Sequence, residues 1–203
     1  METSKRHVGR PRAFDADVAL DRAIEVFWNQ GYEGASLTDL TAAMGITRTS
    51  MYAAFGNKAD LYGLALDRYL HRDLAYAYDA LAAPTAHSVA SRYLHACADA
   101  VTTPGRPPGC FTVQSGLVSA PENADISAAV ARARRAGEEA LLTRFRRAVS
   151  DGDLSASDNP DDLARYVMTV GEGLAVHAVA GASRADLQRV VDVAMKAIPA
   201  PQD

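Results

Sequence analysis

The chain has 203 residues, of which 48% are apolar and 23% charged, and its formal net charge is −4. These values fit an ordinary globular protein with room for one large domain or two small ones. No apolar run approaches the roughly 20 residues that a transmembrane helix needs, so the sequence predicts none. The charged residues 1–14 are not followed by an apolar stretch, so we expect no secretory signal and a cytoplasmic location.

The N-terminal segment, residues 1–12, is basic although the chain as a whole is acidic. It holds four of the basic side chains and one acidic side chain, which gives it a charge of +3. A local basic patch matters more for binding nucleic acid than the total charge does. Arg10 and Arg12 in this arm are therefore candidate DNA contacts.

Four helices are predicted over residues 15–81. The first covers residues 15–30, where apolar residues recur at helical spacing, and Gly31 is its stop signal. The fourth should be long, from about Lys58 to Leu81, because Pro84 is the first strong breaker after it. The residues expected to cap the second, third and fourth helices are Ser36, Thr47 and Asn57.

The sequence pattern also predicts helices in the remaining chain. The proline-rich stretch "TTPGRPPGC", residues 102–110, interrupts it, and the apolar segment 111–119 fits a short helix or a strand, of which we prefer the helix. The other predicted helices are His87–Val101, Asp125–Ser150, Asp161–Ala180 and Ser183–Ile198. The prediction is an all-α protein of about nine helices, divided into a DNA-binding domain, 1–57, and a helical ligand-binding and dimerisation domain, 58–203.

The second and third helices, about eight residues each, have the spacing of a helix-turn-helix. Gly45 suits the turn between them, because glycine adopts a positive φ at little cost. The apolar residues of the pair face inward, so the polar residues of the third helix must face outward. A short exposed helix rich in hydroxyl groups, with one arginine, fits the major groove of DNA. With the two arginines of the arm, the predicted DNA contacts are Ser36, Thr38, Thr47, Arg48, Thr49, Ser50, Tyr52 and Lys58.

Each of these side chains suits a particular DNA group. Arg48 fits guanine, and Thr49 fits a thymine methyl group or a phosphate. Tyr52 and Lys58 are placed for phosphates. Ser36 and Thr38 lie at a helix N-terminus, whose backbone N–H groups favour a phosphate.

The stretch from Gly9 to Tyr69 resembles the DNA-binding domain of the TetR/AcrR family of transcriptional regulators. One departure is Thr41, where the family usually has alanine at a tight helix crossing; threonine is still small, so we expect the same fold. The matching segments are Ala23 to Tyr32, Ser36 to Leu40, Met44 to Ile46, Ser50 to Phe55 and Asn57 to Leu61.

The resemblance implies an all-helical homodimer that represses transcription and is released from DNA by a small molecule bound in the C-terminal domain. It places the recognition helix at Thr47–Ala53, the phosphate contacts at Tyr52 and Lys58, and a minor-groove arm at Gly9–Arg12. No cofactor is implied. An activator, or a regulator without a ligand, would share these DNA contacts, and both alternatives stay open. In the C-terminal body only Pro108–Cys110, "PGC", matches a branch of the family.

Apolar stripes on the last two predicted helices suggest a dimer interface. Gly171, Gly173 and Gly181 each cost about 1 kcal/mol in a helix against alanine, and close approach of two backbones would explain them. Ordinary packing within one chain is the alternative. The predicted interface residues are Leu163, Val167, Val170, Leu174, Ala178, Leu187, Val190, Val191 and Ala194.

The predicted ligand pocket lies among the helices after residue 58. Its candidate lining residues, each of which could equally be ordinary core, are Tyr69, Tyr76, Tyr93, Cys97, Phe111, Gln114, Tyr166 and His177. The arginines of the helix at 125–150 are expected to form a solvated face.

Two further readings concern histidine and cysteine. His95 and Cys97 do not share a helix face, and neither do Glu172 and His177, so no metal site is predicted. Cys97 and Cys110 are too few for a disulfide framework, although they could pair. A cysteine-dependent enzyme that uses Cys110 with His95 or His177 as base is the least supported alternative, because no motif accompanies it.

Overall fold

The computed structural model describes residues 14–115, 119–155 and 157–200, and the predicted arm contacts Arg10 and Arg12 lie outside them. The described residues form ten α-helices and one 3₁₀ turn, Pro121–Asn123, and contain no strand, so the all-α prediction is confirmed. Within them, no helix is long and apolar enough to cross a membrane. The helices are α1 Ala16–Gly34, α2 Leu37–Met44, α3 Arg48–Phe55, α4 Lys58–Arg72, α5 Ala75–Leu81, α6 Ala86–Ala100, α7 Phe111–Gln114, α8 Ala124–Ser150, α9 Pro160–Val179 and α10 Arg184–Met195.

The N-terminal helices begin where their capping side chains stand. Ser36 and Asn57 each form a reciprocal capping box with an aspartate three residues later, and Thr47 accepts from the backbone N–H of Ser50 at 3.1 Å. Gly45 ends α2 with φ +68°, as the helix-turn-helix prediction required. The regular part of α1 likewise stops at Gly31, whose φ of +69° kinks the last turn.

The predicted long fourth helix is in fact two helices, so that prediction was wrong. The helix α4 ends at Arg72, and α5 begins at Ala75. Between them, the backbone N–H groups of Asp73 and Leu74 both reach the carbonyl of Tyr69, at 2.8 and 3.2 Å. The buried carboxylate of Asp73 is paired with both Arg72 and Arg106. The break is thus fixed by a long-range ion pair, without any glycine or proline to mark it.

Two hydrophobic clusters form the core. The first joins α1–α4 with Phe111 and with Ile126 and Val130 of α8. Its centre is aromatic: Tyr62 meets Phe27 edge-on, with ring centroids 5.1 Å apart, and stacks on Phe111 at 5.4 Å. Because α4 contributes to this cluster as far as Tyr69, the core of the first unit extends beyond residue 57, and the domain boundary stays a prediction.

The second cluster packs α5, α6, α8, α9 and α10 together. Arg144 of α8 is buried against it, contrary to the expected solvated face. Its guanidinium donates to the carbonyl oxygens of Leu81, Ala83 and Pro84, at 3.2, 2.8 and 2.9 Å. These carbonyls follow the end of α5 and have no helical partners, so a charged side chain replaces the missing hydrogen bonds.

Replacing Phe111 by alanine should lower the free energy of unfolding by about 3–5 kcal/mol, because its fully buried ring lies between Tyr62 and Tyr69. Urea denaturation at fixed protein concentration measures this change. Leu64→Ala is the control, since Leu64 is exposed and should change stability by no more than about 0.5 kcal/mol. Equal effects of the two changes would show that Phe111 does not hold the first cluster together.

Candidate nucleic-acid interface and internal cavity

One side of α3 is apolar and buried, and the other side is polar and exposed. Met51 and Phe55 fix the helix to the first cluster. Arg48, Thr49 and Tyr52 consequently face outward, and Tyr52 leaves 48% of its surface accessible although it is a large aromatic residue. An exposed tyrosine beside an arginine on a short helix is a surface suited to binding and adds nothing to the core.

The exposed residues of α2 and α3 are joined by hydrogen bonds. The guanidinium Nη2 of Arg48 donates to the Thr38 hydroxyl at 2.8 Å. The Thr47 and Ser50 hydroxyls lie 3.0 Å apart at the start of α3, where Thr47 also caps the helix. The predicted contacts on these two helices therefore form one continuous patch, in which Arg48 is oriented by Thr38 and Thr47 is partly occupied as a cap.

Lys58 is the first residue of α4, the helix that follows α3. Its ammonium group sits 4.3 Å from the centroid of the Tyr32 ring. Desolvation lowers the pKa of Lys58, and the neighbouring Glu33 carboxylate opposes that shift. Glu33 accepts from the Ala120 backbone at 2.8 Å and from Asn123, which lowers its own pKa. Together, a lysine and the positive end of a helix dipole make a place for an anion.

A cavity lies between α5, α6, α8 and α9, inside the second cluster. Its volume is about 80 Å³, and most of its wall is apolar. The wall includes Tyr76, Tyr93, Met168 and Gly171. A Cβ atom at Gly171 would come within 3.3 Å of the Tyr93 ring, so glycine at this position keeps space open inside one chain.

The polar groups of the wall include one ion pair and two thiols, besides the hydroxyls of Tyr76, Tyr93 and Thr112. Arg134 and Glu172 form a bidentate pair, with Arg134 Nε donating at 2.7 Å. Burial raises the pKa of Cys97 to about 12, against a weaker opposing effect of a hydrogen bond with Tyr76. Cys110 accepts from the Tyr69 hydroxyl at 3.3 Å and lies 3.1 Å from the Thr112 hydroxyl.

The structure sorts the predicted pocket residues into three groups. Tyr76, Tyr93 and Cys97 line the cavity. The hydroxyl of Tyr69 donates to Cys110, which also lines it. Phe111 and Gln114 lie on α7 and face the first cluster instead: Phe111 is its buried stacking partner, and Gln114 accepts from the Trp28 indole at 2.8 Å.

Tyr166 and His177 also belong elsewhere. The Tyr166 hydroxyl donates to the carbonyl of Ala194 at 3.4 Å, and His177 is exposed beside the groove between α9 and α10. Sequence reasoning missed Arg134, Glu172 and Met168 as lining residues, since charged or flexible side chains on long helices give no signal of a cavity.

Most of the predicted interface residues are already buried within one chain. They have no accessible surface to lose on association, because α9 and α10 turn them toward α6 and α8; they are Val167, Leu174, Ala178, Leu187, Val191 and Ala194. Leu163 and Val170 are half-buried, and Val190 is 49% exposed. The exposed large apolar residues of α9 and α10 are Val190, which belongs to a predicted stripe, and Val176, Val179 and Val193, which lie outside both predicted stripes.

The geometry does not assemble the predicted cysteine–histidine pair. His95 hydrogen-bonds to Gln188 and lies 4.0 Å from Asp192, and His177 lies in the groove on the other side of α9. The described contacts of Cys110 are with the hydroxyls of Tyr69 and Thr112.

Three comparisons agree on the kind of protein this chain resembles. The family model described as "Bacterial regulatory proteins, tetR family" matches residues 19–64. The HTH-type transcriptional repressor ComR of Escherichia coli (strain K12) is 33% identical over 199 residues, covering 96% of this chain and 94% of ComR.

A second relative, the HTH-type regulator YezE of Bacillus subtilis (strain 168), is 33% identical over 193 residues, covering 94% of this chain and 100% of YezE. Among solved structures, a cysteine mutant of the TetR family regulator CifR, complexed with double-strand operator DNA, superposes with a TM-score of 0.90. It is 41% identical and covers 94% of this chain and 100% of that one.

Cys97 should resist alkylation by iodoacetamide at neutral pH in the folded protein. A pKa raised from 9.0 to about 12 lowers its thiolate fraction about a thousandfold, and only the thiolate reacts. Peptide mapping after timed labelling measures the rate at each cysteine, with guanidinium-unfolded protein as control. Cys110 should react first. Labelling of Cys97 as fast in the folded as in the unfolded chain would contradict the burial of its thiol.

Proposed function

The chain belongs to the TetR family of bacterial regulatory proteins, and we propose that it acts in the cytoplasm as a homodimeric repressor. In this proposal the dimer binds an inverted-repeat operator through α3 and leaves it when a small molecule occupies the cavity. The observation that carries the proposal is the exposed face of α3, with Arg48, Thr49 and Tyr52 outward and Met51 buried behind them.

The DNA contacts follow from the position of each side chain. Arg48 and Thr49 stand at the start of α3, the end of a recognition helix that reaches base edges. Lys58 and Tyr52 flank it and would take phosphates, which position the protein without reading sequence. Ser36 and Thr38 would contact a further phosphate at the start of α2. Arg10 and Arg12 remain proposed minor-groove contacts.

Support for DNA as the partner comes from CifR, which is 41% identical and was solved with operator DNA. Support for repression comes from ComR, named as a transcriptional repressor. The cavity favours a ligand-responsive regulator over a ligand-free one, because a helical body evolved for packing alone would fill such a space. An activator would use the same DNA contacts, and a reporter assay separates the two.

The proposed dimer forms through the outward face of α9 and α10. A helix-turn-helix protein reads two half-sites about 34 Å apart or a multiple of this distance, which takes two copies of α3. Val190 lies beside the groove that His177, Val170 and Gly173 line, and Val193 is 65% exposed one turn further on. An apolar face of this kind is typical of subunit contacts.

The proposed function is tested by selecting binding sites from random DNA and measuring gel shifts. The expected result is an inverted repeat bound with strong salt dependence. Placed in a promoter ahead of a reporter, this site should lower expression when the protein is present. Higher expression would identify an activator, and failure to select any sequence would overturn the proposal of operator binding.

Lys58→Ala should weaken binding to every DNA sequence and reduce the slope of log K against log salt by about 1, since one phosphate contact is lost. The matched control is Arg135→Ala, which removes the same charge from the exposed surface of α8. Fluorescence anisotropy over a salt series gives both slopes. If the two variants have the slope of the wild type, Lys58 does not contact a phosphate.

Val190→Glu should convert the dimer to a monomer, because burying an unpaired carboxylate in an apolar contact is costly. Sedimentation equilibrium measures the mass in solution. Val18→Glu is the matched control, since Val18 is a helical valine with 52% exposure, against 49% for Val190, and lies on α1. If the wild type is a dimer and Val190→Glu is one too, the interface lies on another surface.

A further inference from the structure

Two phenol hydroxyls at the cavity have poor hydrogen-bond acceptors. The Tyr93 hydroxyl donates to the thioether sulfur of Met168 at 3.3 Å, and the Tyr76 hydroxyl is near enough to the thiol of Cys97 to lower the pKa of that thiol. Neither has an oxygen or nitrogen acceptor among the described residues. Sulfur is a weak acceptor, so both donors keep most of their hydrogen-bonding capacity for something else.

The two rings face the same space. Their centroids are 6.2 Å apart at an angle of 49°, and both line the cavity wall. Burial raises the pKa of both tyrosines well above the ordinary value, which keeps each hydroxyl protonated and able to donate throughout the neutral range. They thus form a pair of neutral donors on a mostly apolar wall.

The charges at the cavity argue against a charged occupant. The carboxylate of Glu172 already occupies the Arg134 guanidinium through two hydrogen bonds. An anionic ligand would lie against the Glu172 carboxylate and a cationic ligand against the Arg134 guanidinium, so either charge would meet a like charge or would have to break the pair. Breaking a partly buried pair is unfavourable.

The size of the cavity limits the occupant further. A cavity of about 150 Å³ holds benzene, and this one offers about 80 Å³. Gly171 supplies part of that room, because any side chain there would meet Tyr93 and Cys97. The occupant therefore has fewer heavy atoms than benzene unless the wall yields.

We propose that the cavity binds a small uncharged molecule with one hydrogen-bond-accepting oxygen, a ketone or ether by class, which the hydroxyls of Tyr76 and Tyr93 clamp. This inference rests on the proposed function, whose effector it names by chemistry. An oxygen acceptor replaces the two sulfur atoms as the partner of the phenols, and the carbon skeleton fills the apolar remainder.

The wall of the cavity continues into the DNA-reading unit through α7. Cys110 and Thr112 line the cavity, while Gln114 and Ser115 hold the Trp28 indole and the Tyr62 hydroxyl, at 2.8 and 2.6 Å. An occupant that displaces Cys110 or Thr112 moves this short segment. Trp28 is the sole tryptophan of the chain, so its fluorescence reports such a movement.

The test uses butanone and two molecules with the same skeleton. In 2-methylbut-1-ene a CH₂ group replaces the carbonyl oxygen, and in propanoate a carboxylate replaces the ketone. Each is titrated into the full-length protein, with binding followed by saturation-transfer NMR and by the emission of Trp28. The variants are Tyr76→Phe, Tyr93→Phe and their combination. The control is Tyr166→Phe, which removes a hydroxyl bonded to Ala194 outside the cavity.

Butanone should bind the wild type, and the double variant should weaken it about tenfold, as expected for buried hydrogen bonds to one oxygen. The alkene should bind both proteins within about twofold, and Tyr166→Phe should change nothing. Propanoate should not bind.

The proposal is overturned if butanone does not bind, if the double variant weakens alkene and ketone equally, or if propanoate competes with butanone. These titrations contain no DNA, so they report on the cavity alone. Failure to bind an operator in the absence of ligand would count against the proposed function instead.

Discussion

The aromatic contact of Tyr62 with Phe27 and Phe111 is the one on which the rest of the arrangement depends. Phe27 belongs to the first helix of the DNA-reading unit, Tyr62 to the helix that follows it, and Phe111 to the short segment beside the cavity. The Tyr62 hydroxyl is shared with Ser115 at 2.6 Å, and burial raises its pKa to about 12. Because the ring packing and the hydrogen bond of Tyr62 both join α4 to the segment at α7, the orientation of α1–α3 depends on the position of α7.

Some other contacts between these elements are polar and exposed. Glu33 is bonded to Ala120 and Asn123, and Arg68 joins Asp17 at 2.7 Å. Exposed pairs of this kind contribute little stability each and yield readily.

The sequence was most informative where structure is decided locally. Side-chain caps at Ser36, Thr47 and Asn57 and the left-handed turn at Gly45 need only their nearest neighbours, and all lie where the pattern predicted them. The inward and outward faces of α3 followed for the same reason. The break after Arg72 was not predictable, because it depends on Arg106, a residue far along the chain. Both faces of α9 and α10 carry apolar residues, so the periodicity did not show which face packs against the core and which is exposed to solvent.

The cavity shows a different limit of sequence reasoning. Gly171 suggested close contact between two chains, whereas it borders Tyr93 and Cys97 of its own chain. A helical glycine, two phenols bonded to sulfur and a partly buried ion pair each cost stability locally. Packing alone gives no reason to keep all three at one place, since alanine and phenylalanine would fill the space with better contacts. Their coincidence around one cavity, next to the segment that holds Trp28 and Tyr62, supports the proposed ligand site.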